Sequence, residues 1–339
     1  MRAGPEAASR RAADAGLTPA APRATPAGAR PAGAAGPGVT GPAAAPARPL
    51  VSVGVPVYNG ERFLPRALDS LLGQSLSDLE LIVSDNASTD GTQAICEEYR
   101  RRDPRFRYVR QPVNIGAPRN WNAVVHEARG TFFKWASASD YVAPAMLETC
   151  VAAMRADPGI VLCHGLTQLV DEREQPIEVY GGDVVFDQPR ASERFLQVSQ
   201  LLALNNAQCG VIRLDALRRT GLDRTYPSGD MALMAELALY GKFHLVPEVM
   251  LYRRQSTGTF TAKLAPLALQ RIYDPHARRA MTQLRARRHL DHLVSIARAP
   301  LRLAEKLRAY RYALRLVRWD RHLLWGDFVR SLRGAGREG

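Results

Sequence analysis

Residues 81–91 read LIVSDNASTDG, an apolar run that ends abruptly in acids, amides, hydroxyls and a glycine. The run predicts a buried strand whose carboxyl end carries a polar site. Residues 51–60 read VSVGVPVYNG and have the same layout, and a helical pattern over 61–74 separates the two. This arrangement predicts two parallel strands joined by a crossover helix. Because ligands of open α/β sheets bind outside the carboxyl ends of the strands, the two stretches predict a small-molecule site.

The pattern continues along the chain, with strand and helix alternating four times over about ninety residues. After residue 140, helices are predicted at 144–156 and 231–240 and a strand at 160–164. The alternation favours an α/β fold with a mostly parallel sheet and helices on both faces. Within it, the remaining predicted elements are a strand at 80–84, a helix through Tyr99, a strand at 106–109, a helix within 114–130 and a strand at 131–136.

The charge of the chain is unevenly distributed. The chain has 339 residues, 46% of them hydrophobic, and a formal net charge of +13. This length allows one large domain or two small ones. Residues 262–339 hold eighteen Lys or Arg against six acids, whereas residues 50–261 are mildly acidic. The basic charge therefore lies mainly outside the part that carries the polar motifs.

The first 49 residues are rich in Ala, Pro, Gly and Arg, with almost no large apolar side chains. Such a composition cannot bury enough surface to offset the entropy of ordering, so a disordered tail is predicted. The alternative is a targeting peptide, although no continuous apolar region follows the Arg residues, as a secretory signal requires. No run of about eighteen apolar residues predicts a transmembrane helix.

The four cysteines indicate a reducing compartment. They lie far apart and form no C-x-x-C pair. This spacing favours free core thiols in a cytoplasmic protein over disulfides or zinc ligands.

Five short motifs occur in an order and spacing that a known family shares. They are VPVYN at 55–59, SDNASTDG at 84–91, NIGAPRN at 114–120, FKW at 133–135 leading to Asp140, and SGD at 228–230. With them the chain resembles the inverting glycosyltransferases of the GT-A fold, of the family 2 type, which include bacterial polysaccharide and lipopolysaccharide sugar transferases. The resemblance implies a Rossmann-like GT-A domain over 50–261, between the tail 1–49 and a basic helical tail at 262–339.

Sugar transfer from a nucleoside diphosphate sugar makes two chemical demands. The leaving diphosphate carries negative charge that a cation must stabilise, and the acceptor hydroxyl needs a carboxylate to take its proton. The resemblance implies that Asp230 is this base, and that Asp140, the last carboxylate of a D-x-D-type motif, holds Mg²⁺ or Mn²⁺. The alternative for Asp230 is that it, or Ser228, caps the following helix.

The resemblance also implies a set of donor-binding residues. Asp85 matches a residue that accepts a hydrogen bond from a uracil or thymine imide, and its alternative role is a helix cap. Tyr58 and Asn59 would flank the base or ribose. Arg119 resembles an Arg that contacts the base or phosphate, or is a solvated helix residue. The remaining predicted donor contacts are Pro56, Asn86 and Ser139.

The chain departs from the family pattern at three polar positions. Ser137 and Ser139 stand where the family often has acids, and Ser256 stands near a position where related sequences have His. These changes predict weak metal binding that depends on diphosphate oxygens. Arg253 and Arg254 offer cations that could compensate for the missing ligands.

The predicted function is transfer of a sugar from a nucleoside diphosphate to a hydroxyl acceptor, in cell-surface polysaccharide or glycolipid synthesis. One rival, motivated by the serines, is a degenerate GT-A protein that binds a nucleotide or a partner without catalysis. The second rival, a nucleotidyltransferase, is disfavoured because Gly54 and Gly60 do not form a Gly-rich phosphate loop.

From Pro300 onward, apolar residues recur at helical spacing among Arg residues. This pattern suits a helix on an anionic membrane surface through residues 300–333, near a lipid-linked acceptor. The alternative is packing on the catalytic domain or on a second subunit. Nucleic-acid binding is disfavoured, since no reading module accompanies the charge. The apolar stripe consists of Leu303, Leu307, Tyr310, Leu314, Val317, Leu324, Phe328 and Leu332.

Overall fold

The computed structural model describes residues 48–255 and 264–335, and within them all side chains except those of residues 330 and 332–335. Most of the predicted disordered tail (residues 1–47), Ser256 and the side chain of Leu332 lie outside this part.

The described strands form one nine-stranded sheet. They are β1 (Val51–Val57), β2 (Leu79–Asp85), β3 (Phe106–Arg110), β4 (Phe132–Trp135), β5 (Tyr141–Val142), β6 (Ile160–Val170), β7 (Pro176–Val179), β8 (Val211–Arg213) and β9 (Lys242–Arg254). The order is β3-β2-β1-β4-β8-β6-β9-β5, with β7 paired to β6. The first four strands are parallel, and β8 is antiparallel to both β4 and β6. The predicted mostly parallel sheet is thereby confirmed.

The helices lie on both faces of this sheet. They are α1 (Leu64–Leu72), α2 (Thr92–Arg102), α3 (Ala117–Glu127), α4 (Met146–Ala156), α5 (Ala191–Leu201), α6 (Leu214–Arg218), α7 (Gly229–Leu237), α8 (Pro266–Tyr273), α9 (Leu284–Arg298), α10 (Leu303–Trp319) and α11 (Arg321–Ala335), with a 3₁₀ helix at Asn206–Cys209. One core cluster joins α1, α2 and α4 to the sheet, through residues such as Leu68 and Met154. The other joins α3, α5, α7, α9 and α10, through residues such as Leu233, Ile296 and Ala313.

β1 and β2 form as predicted because both are uninterrupted apolar runs, and every residue of both strands is buried. Val51, Val53 and Val55 point into one core cluster. On the opposite face, a Cβ added at Gly54 would lie 2.6 Å from Val124 Cγ2. The glycine therefore lets α3 pack directly on β1, which places the amino end of α3 beside the strand ends.

The C-terminal helices share a core with the sheet. Helix α10 buries its small face, Ala309 and Ala313, together with Leu316. In the predicted stripe, Leu303, Leu307 and Leu314 are exposed, whereas Tyr310 packs against the core. Helix α10 thus packs on the core and also carries an exposed apolar surface. All described residues fall in one compact unit, and the boundary at 261 stays a prediction. Across 48–255 and 264–335, no helix is long and apolar enough to cross a bilayer.

All four cysteines lie within the described residues, where they are buried and form no disulfide. The prediction of free core thiols is confirmed.

Candidate functional site

Two adjoining cavities open beside the carboxyl ends of the parallel strands. The small cavity, about 300 Å³, is lined by residues that follow β1 and β2 and by helix α8. The large cavity, about 540 Å³, is lined by residues that follow β4, by the amino end of α7 and by the end of β9. Ala117, Trp121 and Ile272 line both cavities. The strand ends therefore meet at one extended site, as the sequence predicts.

Three predicted donor-binding residues, Pro56, Tyr58 and Asn86, line the small cavity. The Tyr58 side chain is half exposed. The Asn86 amide donates to Asn114 Oδ1 at 2.9 Å, and its own oxygen accepts the Ile115 N–H at 2.8 Å. Asn86 therefore holds the loop before α3 against the cavity wall.

Asp85 lies fully buried and is held by β3. Its Oδ2 accepts hydrogen bonds from the Tyr108 hydroxyl at 2.8 Å and from Arg110 Nη1 at 2.5 Å. Its Oδ1 accepts the N–H of Ser88 at 2.8 Å. In the described part of the chain no side chain caps α2, so Asp85 does not have the capping role offered as the alternative. Burial, and then the Asp85 hydrogen bond, raise the pKa of Tyr108. The two β3 partners were not predicted from the sequence, and the contact of Asp85 with a base stays a prediction.

Asn59 and Arg119 line neither cavity. Asn59 adopts a positive φ of 51°, and its Oδ1 accepts the Thr89 N–H at 2.9 Å. It thereby joins the loops that follow β1 and β2. Arg119 is half exposed on α3, with its Nη1 3.9 Å from Asp274 Oδ1. This placement is close to the solvated alternative, and its contact with a donor stays a prediction.

Asp140 and Ser139 line the large cavity. Asp140 Oδ1 accepts the backbone N–H of Arg254 at 3.0 Å and the Ser139 hydroxyl at 3.3 Å. Burial raises the pKa of Asp140, and the nearby Arg253 and Arg254 oppose this shift. The hydroxyls of Ser137 and Ser139 lie 2.9 Å apart.

The two arginines at the end of β9 have different surroundings. The Arg254 side chain is 4% exposed, pairs with Glu174 at 3.1 Å and donates to the Ser139 carbonyl at 3.1 Å. Arg253 lines the large cavity and donates to Asn206 Oδ1 at 2.5 Å. Both cations that the sequence offers line the large cavity, and Arg254 also fixes the segment that carries Asp140.

A fully buried lysine lies in the strand that leads to Asp140. Lys134 Nζ donates to the carbonyl oxygens of Cys209 and Trp135. Burial lowers its pKa, while the charge of Asp140 opposes this shift. Lys134 thus joins β4 to the 3₁₀ helix at the cavity wall, a role that the FKW motif alone does not reveal.

Asp230 lies in the first turn of α7 and lines the large cavity. Ser228 before it has a φ of 66°, so the chain turns sharply into the helix. Within the described part of the chain, no side chain caps α7, so neither Ser228 nor Asp230 has the capping role offered as the alternative. Instead, Asp230 Oδ2 accepts a hydrogen bond from Asn205 Nδ2 at 2.9 Å.

Three polar residues that the sequence analysis missed, Asn205, Gln208 and Asp223, stand beside Asp230 in the large cavity. Burial, and then the charge of Asp230, raise the pKa of Asp223 to about 7. The only sequence signal is the amide-rich segment NNAQ at 205–208. Asp223 has no such sequence signal. It is positioned by hydrogen bonds to Asn122, which lies 101 residues earlier in the chain.

The surroundings of Asp140 fit a divalent cation only with ligands from a substrate. Among residues 48–255 and 264–335, no cluster of three or more His, Cys, Asp or Glu is arranged to hold a metal. Asp140 contributes one carboxylate, and one of its oxygens already accepts two hydrogen bonds. Mg²⁺ binds in this manner in many sites, through one or two carboxylates plus substrate phosphates and water.

Comparison with curated proteins reveals two informative relatives. The chain is 35% identical over 147 residues to EpsJ, an uncharacterized glycosyltransferase of Bacillus subtilis, which covers 43% of this chain and 42% of EpsJ. It is 31% identical over 123 residues to a chondroitin synthase of Escherichia coli, which covers 36% of this chain and 18% of the synthase. The chain therefore spans less than half the length of either relative.

Among solved structures, residues 1–349 of S. aureus TarS match with a TM-score of 0.54 at 18% identity, covering 80% of this chain and 73% of that one. This likeness confirms the predicted GT-A-like fold, here followed by C-terminal helices. Residues 52–217 match the family model described as glycosyl transferase family 2. The match includes the strand ends that carry Tyr58, Asn86 and Asp140, and it identifies this part of the chain as similar to glycosyl transferase family 2.

Proposed function

We propose that the chain is an inverting glycosyltransferase that transfers a sugar from a nucleoside diphosphate sugar to a hydroxyl acceptor, in cell-surface polysaccharide or glycolipid synthesis. The observation that carries the proposal is the large cavity, where Asp230 and Asp140 stand together beside the cavity of Tyr58 and Asn86. The match of residues 52–217 to the glycosyl transferase family 2 model supports the reaction class, and the chondroitin synthase relative supports a glycan acceptor.

In this proposal the donor spans both cavities. The base lies against Tyr58 in the small cavity, and the diphosphate reaches Arg253 and Asp140 in the large one. The acceptor oxygen attacks the anomeric carbon while its proton passes to the Asp230 carboxylate. The sugar–phosphate bond breaks on the opposite side, and the nucleoside diphosphate leaves with the bonding electrons. One displacement of this kind inverts the anomeric carbon.

The surroundings of each group suit its role. The hydrogen bond from Asn205 holds the Asp230 carboxylate in one orientation. The Arg253 guanidinium suits the leaving diphosphate, since planar cations bind phosphate oxygens strongly. A divalent cation, when bound, supplies further positive charge there. Asp140 is the residue that would hold it, with phosphate oxygens completing the coordination.

The first test is calorimetry of UDP, GDP and dTDP binding, with and without Mn²⁺, on the wild type and on Asp140→Ala. UDP is tried first because TarS 1–349 has been solved with UDP and with UDP-GlcNAc. We expect one nucleotide to bind more tightly when Mn²⁺ is present. With Mn²⁺, the affinity of Asp140→Ala for that nucleotide should be about tenfold lower than that of the wild type. Asp215→Ala, an exposed change on α6, is the matched control.

Two outcomes would contradict the proposal. A folded protein that binds none of the three nucleotides has no donor site at these cavities. A protein that binds a nucleotide but neither hydrolyses nor transfers any tested donor sugar is the degenerate, non-catalytic member that Ser137 and Ser139 suggest.

We also propose that residues 300–333 hold the enzyme on the cytoplasmic, anionic surface of a membrane, near a lipid-linked acceptor. A groove of about 560 Å³ at α10 and α11 supports this proposal, since Trp325 and Phe328 line it and are exposed. Arg318 and Arg321 also line it. Exposed aromatic side chains next to arginines complement the acyl boundary and head groups of anionic lipids.

Vesicle co-sedimentation tests this surface. The wild type is expected to bind vesicles of phosphatidylcholine with phosphatidylglycerol, and to bind pure phosphatidylcholine weakly. Trp325→Ser with Phe328→Ser should reduce binding about tenfold, since each aromatic removed loses buried apolar area. Val185→Ser, a change at another exposed apolar residue, is the control. Undiminished vesicle binding by the double variant would exclude this surface. A wild-type dimer in sedimentation velocity that the double variant does not form would also exclude it, since a second copy would then occupy the groove.

A further inference from the structure

Three polar atoms of the large cavity lack hydrogen-bond partners. They are Asn205 Oδ1, Gln208 Nε2 and Asp223 Oδ1, each buried and unpaired among the residues that the structure describes. Buried polar atoms are nearly always paired in native proteins, and an unpaired one calls for an explanation. Three in the wall of one cavity indicate that a ligand supplies the missing partners.

The orientation of the two amides follows from Asp230. Its carboxylate can only accept, so the Asn205 atom 2.9 Å from Oδ2 is the amide nitrogen. The same nitrogen donates to Gln208 Oε1 at 3.1 Å. This arrangement leaves Asn205 Oδ1 as an acceptor and Gln208 Nε2 as a donor. The catalytic carboxylate therefore determines which groups the neighbouring amides present.

The position of Asp223 is built into the fold. Its backbone N–H donates to Asn122 Oδ1 at 3.0 Å, and its carbonyl accepts from Asn122 Nδ2 at 2.9 Å. These bonds attach the loop to α3 at two points. The nearest cation, Arg224, pairs with the buried Glu236 at 2.9 Å. The backbone of Asp223 is thus held firmly, while its carboxylate Oδ1 stays without a donor.

We infer that Asn205, Gln208 and Asp223 bind the hydroxyl groups of a sugar ring beside Asp230 and so determine which sugar reacts there. The cluster offers two acceptors and one donor, and a ring hydroxyl both donates and accepts. An anionic group would be repelled by Asp223 and Asp230. An ammonium group would leave the Gln208 donor without a partner. An apolar ligand would leave all three atoms without partners.

This inference rests on the proposed function and deepens it by assigning residues that select the sugar. Either the donor sugar or the acceptor sugar presents hydroxyls of this kind, and the experiment separates the two. The variants are Gln208→Leu and Asp223→Ala, with Asp215→Ala as the exposed control. Thermal unfolding of each variant checks that it is folded.

One arm is calorimetry with free UDP, GDP and dTDP against UDP-glucose, UDP-GlcNAc, GDP-mannose and dTDP-glucose. The other is saturation-transfer NMR with the methyl glycosides of glucose, galactose, mannose and GlcNAc, in the presence of the nucleotide that binds. We expect both variants to bind the free nucleotide within about twofold of the wild type. At least one sugar probe should bind the wild type and bind both variants about tenfold more weakly, since a lost partner leaves buried polar groups unpaired.

Loss confined to a sugar nucleotide assigns the cluster to the donor sugar, and loss confined to a methyl glycoside assigns it to the acceptor. The inference is overturned if every sugar probe binds the variants as it binds the wild type, or if no sugar probe adds to nucleotide binding by the wild type. Absence of any nucleotide binding overturns the proposed function itself, so the two failures are distinguishable.

Discussion

The two cavities differ in how their polar side chains are paired. Beside the small cavity, Asp85 and Asn86 are held by Arg110 and Asn114. In the large cavity, Asp223 and its neighbouring amides retain unpaired buried atoms. The walls of the small cavity are therefore organised before any ligand arrives, and for the nucleotide proposed to bind there this lowers the entropy lost on binding. The sugar inferred to bind in the large cavity would pair these atoms, which would make binding sensitive to each hydroxyl that it carries.

The largest effect is expected at Asp230, in the large cavity. Asp230→Asn keeps the size of the side chain but cannot take a proton, so the rate of transfer should fall by about 10²- to 10⁴-fold. Nucleotide affinity should stay unchanged, because the small cavity is intact. Initial rates of nucleoside diphosphate release, with calorimetry, measure both. A variant with the wild-type rate would remove Asp230 from the role of base, and Asp215→Asn is the control.

The second prediction contrasts Asp85, beside the small cavity, with Asp223, in the large cavity. Asp85→Ala leaves Arg110 and Tyr108 without their shared partner, and should lower the free energy of unfolding by about 3 kcal/mol. This value is at the low end of the range for buried pairs because Arg110 is 34% exposed. Asp223→Ala removes an unpaired buried atom and should not destabilise the fold at pH 7. Chemical unfolding measures both, and equal losses would contradict the comparison.

The third prediction separates the two arginines at the end of β9. Arg254→Ala should lower the free energy of unfolding by about 2 kcal/mol, because it leaves buried groups such as the Ser139 carbonyl without a donor. Arg253→Ala removes only the donor to Asn206 Oδ1 and should lower the free energy of unfolding by about 1 kcal/mol. It should weaken nucleoside diphosphate binding about tenfold. Unfolding curves and calorimetry of both variants supply the comparison. The reverse pattern would show that Arg254, and not Arg253, faces the donor.

The smallest effect is the pH dependence of stability that Asp223 contributes. Its pKa is raised from 3.8 to about 7 in the folded chain, so between these values the folded state binds more protons than the unfolded state. Stability should therefore fall as the pH rises from 5 to 7, by at most about 2 kcal/mol. The Asp223→Asn variant should lack this contribution to the pH dependence of the free energy of unfolding. Unfolding midpoints of both proteins across that range measure it, and parallel curves would show that Asp223 titrates normally.

Local patterns predicted the first half of the fold well. The strand expected at 80–84 is β2 (Leu79–Asp85), and the helix expected from Met231 begins at Gly229. These elements are apolar runs with clear turn residues at their ends, so the sequence itself marks them. The sequence did not predict that β9 (Lys242–Arg254) is a long strand parallel to β6, because its many polar residues hide the pattern.

The candidate site was predicted in part. Tyr58, Asn86, Asp140 and Asp230 line the cavities. Asp85, Asn59 and Arg119 do not, because their side chains are used to hold the surrounding loops or face solvent. The partners that hold Asp85 come from β3, and the residues beside Asp230 come from a 3₁₀ helix and a loop. Contacts between such distant segments leave no periodic signal.

The sequence by itself determined the α/β architecture, the position of the site at the strand ends and the residues that carry the family resemblance. Each of these follows from short-range patterns, where strand and helix periodicity and turn residues act over a few positions. Tertiary structure alone decided that Arg254 is nearly buried against Glu174 and the Ser139 carbonyl, that α10 buries its small residues, and that Asn205, Gln208 and Asp223 gather around Asp230. Those outcomes depend on which faces pack together and on which polar groups find partners, and both are settled only when segments far apart in the chain meet.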